Sequence, residues 1–128
     1  MRLLIDTHAL LWFLAGDRHL PRPIRTLIDD PANAIFVSAA SAWEITTKHR
    51  LGKLPGAAPI AADVGATVLA QGFDTLDVTM MHAQRAGALA SDHRDPFDRM
   101  LAAQAQIEGI AIISGDRVFD DFGLRRLW

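Results

Sequence analysis

Leu3-Leu4-Ile5-Asp6-Thr7-His8-Ala9-Leu10-Leu11-Trp12-Phe13-Leu14-Ala15 is the stretch whose reading decides the architecture. Three apolar residues without a polar partner between them describe a short strand buried on both faces, as in a parallel sheet. Asp6 ends that strand. Thr7 to Ala15 then carries Leu10, Leu11, Phe13 and Leu14 as a mostly apolar helix, which Gly16-Asp17 stops. A strand running straight into a helix, with a carboxylate at the junction, is the opening of a βα unit.

The same alternation continues along the chain. Pro21 and Pro23 suit the start of a second helix carrying Ile24, Leu27 and Ile28, and Asp30-Pro31 closes it. Ile35-Phe36-Val37 is a second strand. From Ser38 to about Leu51 small and apolar residues recur at helical spacing, with Ser38 or Ser41 as the cap and Gly52 as the stop. Lys53 to Pro59 is loop-like, Ile60 to Ala70 is expected as one helix, and Phe73 to Val78 alternates as a half-exposed strand. Met81 to Leu89 is helical. Asp95-Pro96 opens a further helix through Ala105 that Gly109 ends, and Ile110 to Ile113 is the clearest buried strand. Arg117 to Asp121 forms a turn or short helix before a final edge strand in Leu124 to Leu127. The expected fold is a single three-layer α/β/α domain over residues 1–128 with a central, mostly parallel sheet.

Composition narrows the functional classes. Half of the 128 residues are hydrophobic, which excludes general disorder. No apolar run approaches the roughly 20 residues of a membrane span, and a charge interrupts the first residues too early for a signal peptide, so a cytoplasmic protein is expected. With no Cys, disulfides, thiolate zinc sites and Cys nucleophiles are all excluded. Thirteen Lys and Arg against 15 Asp and Glu leave no global basic field. A nucleic-acid substrate would need a local groove, for which Lys48, Arg50, Lys53, Arg94, Arg99 and Arg117 are candidates.

Four acids, Asp6, Glu44, Asp98 and Asp116, each fall just after or beside an apolar segment. Taken singly, each has a structural explanation. Asp6 and Asp116 suit N-caps, Ser41-Ala42-Trp43-Glu44 matches a capping box, and Asp95-Pro96-Phe97-Asp98 matches an N-cap, a first-turn Pro and a third-position acid. Taken together, they lie near the carboxyl ends of expected parallel strands, where α/β sheets place ligands. Gathered carboxylates repel, whereas Mg²⁺ or Mn²⁺ reverses that preference and holds them ionised. Glu44 is the more telling because the chain has only one other Glu, Glu108.

At these positions the chain resembles the PIN-domain ribonucleases, and among them the VapC-type toxins of bacterial toxin–antitoxin pairs. The resemblance rests on Leu4-Ile5-Asp6-Thr7-His8, Ser38 to Ile45, His93-Arg94-Asp95-Pro96-Phe97-Asp98-Arg99 onward to Ala105, and Ile112-Ile113-Ser114-Gly115-Asp116. It implies that Asp6, Glu44, Asp98 and Asp116 are the catalytic, metal-binding carboxylates of a Mg²⁺- or Mn²⁺-dependent endoribonuclease. Asp95, Ser114 and Arg99 would support them, Asp95 as a neighbouring or capping acid and Ser114 by holding a metal-bound water or ligand oxygen. It also implies an RNA substrate, a VapB-like antitoxin and a homodimer. Gly115 and Asp121-Phe122-Gly123 depart from the usual pattern.

Two other classes compete. A receiver-like phosphoacceptor also uses acids around Mg²⁺, but it needs an early acidic pair and a late Lys, and the only lysines are Lys48 and Lys53. A catalytically silent module of the same fold, binding RNA or a protein, has no physical reason to retain grouped carboxylates. The five His show no repeated ligand spacing, no Gly-x-Ser-x-Gly elbow is present, and His93-Arg94-Asp95 lacks every other kinase element. Trp12 and Trp43 are candidates for a dimer face or an antitoxin groove.

Overall fold

The computed structural model describes residues 1–128. In chain order it contains β1 (Arg2–Ile5), α1 (Thr7–Ala15), α2 (Arg22–Asp29), β2 (Ala34–Ser38), α3 (Ala39–Arg50), α4 (Ala58–Ala62), α5 (Val64–Ala70), β3 (Asp74–Leu76), α6 (Met80–Ala88), α7 (Pro96–Glu108), β4 (Ala111–Ile113), a 3-10 helix (Arg117–Phe122) and β5 (Arg126–Leu127). The five strands form one sheet in the order β3-β2-β1-β4-β5. Every pairing is parallel, with Ile5 beside Val37 on one side and Ile113 on the other.

The apolar run that opens the chain occupies the centre of this sheet, and its period of two divides the core. Leu3 and Ile5 face a cluster with Leu10, Ile24, Ile28, Ile45, Val68 and Phe73. Leu4 faces the opposite layer, packing with Leu101, Ala102, Ala105, Ile112, Phe119 and Phe122. Both faces are therefore covered, and Leu3, Leu4 and Ile5 are all buried because helices lie above and below them. On α7 the small, buried Ala102 and Ala105 pack in the same cluster as Leu4 and Ile112 of the sheet.

The helix boundaries follow local chemistry. Asp6 caps α1 and Gly16 ends it in the left-handed region at φ 63°. Asp95 accepts from Phe97 N and Asp98 N at the start of α7, and Gly109 (φ 64°) ends it. The single helix expected over residues 60–70 is instead two, α4 and α5. Asp63 leaves helical geometry (φ −159°) and its side chain accepts from Ala66 N, so it starts a new helix where Ile60 to Ala70 had looked continuous. Helix α4 also starts inside the stretch expected to be loop. No helix is long and apolar enough to cross a membrane.

Candidate metal centre at the carboxyl edge of the sheet

Asp6 sits where β1 ends and α1 begins, in the middle of the sheet's carboxyl edge. Its backbone N–H donates to Ile113 O at 3.0 Å, tying it to the end of β4, and its Oδ1 accepts from Ala9 N at 2.7 Å. The residue is only 6% exposed. Burial pushes its carboxyl up to about 6, and the nearby Asp98 adds to the rise; the Ser114 hydroxyl, the Ala9 N–H and His8 act in the other direction. Ser114 is itself fully buried, and its Oγ accepts from Asp116 N at 2.9 Å. Asp6, Ser114 and Asp116 are thus linked across the ends of β1 and β4.

Asp98 reaches the same edge from the first turn of α7. Burial raises its pKa, with Asp95 and Glu44 as further negative neighbours, while His93 opposes the rise. The His93 Nε2 lies 2.9 Å from Asp98 Oδ2. A buried polar network holds α7 in this place: Ser38 Oγ donates to Gln104 Oε1 at 2.5 Å, and Gln104 Nε2 donates to Asp77 O at 3.2 Å. Thr7 Oγ1 likewise donates to Ser41 Oγ at 2.9 Å, joining the start of α1 to α3.

Glu44, on α3, is buried and paired with Lys48 one turn later. Partial burial works against the Lys48 charge, but Glu44, with Asp95 and Asp98 beyond it, outweighs that and raises the ammonium's pKa. Asp116 is exposed and caps the 3-10 helix, accepting from Val118 N at 3.0 Å. Asp6 and Asp116 share an open pocket of about 460 Å³.

The edge therefore carries Asp6, Glu44, Asp95, Asp98 and Asp116. All four candidate ligands lie on it, in two subsets on either side of Asp6: Asp116 through Ser114, and Asp98 with Glu44. No three His, Asp or Glu side chains converge on a single coordination point. Every buried side-chain nitrogen and oxygen also has a hydrogen-bond partner within the protein. The donor set is nonetheless what a hard cation selects: carboxylate oxygens, two of them with pKa values raised chiefly by burial and further by neighbouring acids, although the Lys48 ammonium competes for Glu44. Mg²⁺ commonly takes only one or two protein carboxylates and keeps several waters, so a set of this kind fits it.

Two supporting residues behave differently from one another. Asp95 spends its carboxylate on capping α7. Arg99 sends all its donor nitrogens to backbone carbonyls of Ala86, Gly87, Leu89, Ser91 and His93 at 2.7–3.3 Å. Its guanidinium braces the segment that leads into α7 and is not free for a substrate. Of the other basic candidates, Lys48 is held by Glu44, whereas Arg50, Lys53, Arg94 and Arg117 are exposed. Spacing between histidines carries no signal for His93, because its partner is an acid five residues later. Its place just before the Asp95-Pro96 cap was the available signal.

An all-parallel α/β/α sheet with acids gathered at its carboxyl edge defines the class to which this chain belongs. It matches the PIN domain family model over residues 3–124, and the chain belongs to that family. It is similar to Ribonuclease VapC16 of Mycobacterium tuberculosis, 40% identical over 67 residues, which cover 52% of this chain and about half (48%) of that relative. The fold also resembles VapBC2 from Rickettsia felis, crystallised with a DNA fragment from its promoter, with a TM-score of 0.70 at 12% identity, covering 99% of this chain and 98% of that one. A third similar structure is VapC20 of Mycobacterium tuberculosis, described as a toxin that cleaves the sarcin-ricin loop (TM-score 0.69, 20% identity, 95% of each chain).

Proposed function

We propose that this chain is a Mg²⁺- or Mn²⁺-dependent endoribonuclease, the toxin of a VapBC-type pair, with Asp6, Glu44, Asp98 and Asp116 as its metal-binding carboxylates. The observation that carries this reading is Asp6: a buried carboxylate at the end of the central strand, its pKa lifted to about 6, with Asp98 as a like-charged neighbour. Such a group is stabilised in its working, ionised form by a cation. Membership of the PIN domain family and the likeness to a VapC ribonuclease support the same reading.

When bound, the ion supplies a more acidic water and neutralises charge developing on phosphorus. The protein's own groups do the rest. Asp6 is fixed by Ala9 N–H and Ser114, so its carboxylate offers a rigid ligand. His93 orients Asp98 from behind. Ser114 also fixes the backbone of Asp116, keeping the two strand-end acids in register. Asp95 and Arg99 shape the segment that delivers Asp98.

A VapB-like antitoxin fits an acidic edge into which a basic side chain such as Arg can be placed. An apolar groove of about 600 Å³, lined by residues including Leu11, Trp12, Leu14, Leu54 and Ile60, would suit the antitoxin's helix. A homodimer would be built on exposed apolar surface such as that of the adjacent Met80 and Met81 at the start of α6.

Two observations favour the alternative, a catalytically silent module: Lys48 already balances Glu44, and no three acids converge. The two readings separate when structured RNA is incubated with the protein and Mn²⁺, then with EDTA. Cleavage that requires Mn²⁺ and falls at least 100-fold in Asp6→Asn and Asp98→Asn supports the enzyme. RNA left intact, or cleavage indifferent to EDTA and to both variants, refutes it.

A further inference from the structure

The pocket shared by Asp6 and Asp116 is walled by rings that metal binding does not use. Trp12 stacks on His19 (centroids 5.4 Å apart, planes at 26°) and lies 5.9 Å from Trp128 and 6.2 Å from His8. His19 is held in position by Asp17, whose Oδ1 accepts from His19 N at 2.8 Å and lies 2.7 Å from Nδ1. Trp128, just past β5, lies over Gly115 so closely that a Cβ there would come within 2.8 Å of its indole. Glycine at 115 is therefore explained by this contact: a side chain would push the indole away from the pocket.

Trp12 packs against the core along part of its ring and is half-buried, while the other rings lie outside the core. Phe119 is 1% exposed, whereas Trp128 keeps 38% of its surface open and His8 and His19 are also exposed. Arg117 stands on the pocket's rim, exposed and without an ion-pair partner. Two exposed or half-exposed indoles, an adjacent imidazole, a free guanidinium and two carboxylates within one pocket combine a stacking surface, a phosphate contact and a metal edge.

We infer that this pocket is a nucleobase subsite: the base of a nucleotide next to the scissile phosphate stacks on Trp128 and Trp12, while Arg117 contacts that nucleotide's phosphate. The inference rests on the endoribonuclease reading for the position of the scissile bond, and it assigns base preference to these rings. A planar base is the part of RNA that offers a π-face to indole, whereas sugar and phosphate do not. About 460 Å³ lies within the range of pockets that hold small ligands.

The chain has only three tryptophans, so their indole N–H signals report the site directly by NMR. Each of four homopolymeric RNA octamers is titrated in EDTA and again with Ca²⁺, with signals assigned through Trp43→Phe and Trp12→Phe variants. The Trp12 and Trp128 signals are expected to move with at least one homopolymer. Silence of both up to millimolar RNA overturns the subsite. In cleavage assays, Trp128→Leu should raise KM by about 5- to 100-fold, with kcat the lesser change, and Trp128→Phe should recover most of the loss. A Leu variant with wild-type KM and RNA affinity also overturns it. If the rings bind RNA but Mn²⁺ brings no cleavage, the subsite stands and the endoribonuclease reading falls; cleavage with unmoved indoles means the reverse.

Discussion

Replacing Asp6 by Asn should stabilise the metal-free protein, and the gain should depend on pH in a defined direction. The folded-state pKa of about 6 lies above the ordinary value of 3.8, so the folded chain holds this proton more tightly than the unfolded chain. The associated stability is fully present below about pH 3.8 and is lost as pH rises through 6. At about 1.4 kcal/mol per pH unit, the gap corresponds to a cost of about 3 kcal/mol in the wild type above pH 6. Asn carries no charge, and it caps helices about as well as Asp, so it can still accept from Ala9 N. Urea unfolding of both proteins in EDTA, at intervals from pH 4 to 7.5, isolates the effect as a difference between two curves. The variant should gain about 3 kcal/mol relative to wild type across that range, or about 10 °C in Tm for a chain of this size. A difference that stays flat with pH, or that favours wild type as pH rises, would refute the account of Asp6 as a buried carboxylate lacking a cation.

Adding Mn²⁺ at about 100 times its Kd should stabilise the wild type by about 2.7 kcal/mol at pH 7.5 and Asp6→Asn by far less, as read by thermal unfolding. Arg99→Ala removes five bonds to backbone carbonyls and should cost about 3 kcal/mol, with faster amide exchange in residues 89–95; unchanged exchange there would contradict its bracing role. Lys48→Met leaves Glu44 buried without its partner and should cost about 1–3 kcal/mol in EDTA, part of which Mn²⁺ restores. Leu4→Ala, in the layer beneath α7, should cost about 2–5 kcal/mol by denaturant unfolding.

Most of the architecture was legible in the chain because its signals are local. Leu3 to Ile5 read as a strand buried on both faces, and the central position of β1 is the consequence. Asp95-Pro96 and Gly109 bounded α7 through capping and left-handed geometry, each contained within a few residues. The break at Asp63 was less visible, since an acid between apolar residues can lie on a helix face or start a new helix, and only packing chooses.

By itself, the sequence determined the order of strands and helices, the placement of acids at strand ends and the motifs shared with the PIN domain family. Tertiary structure alone decided that Asp6 feels Asp98 but joins Asp116 through Ser114, that Arg99 turns to carbonyls, and that Trp128 lies on Gly115 beside Trp12. Caps and periodicity depend on neighbours within a turn of helix. The farthest of these contacts join residues more than a hundred positions apart, and their existence depends on sheet register and on how closely each helix seats against it.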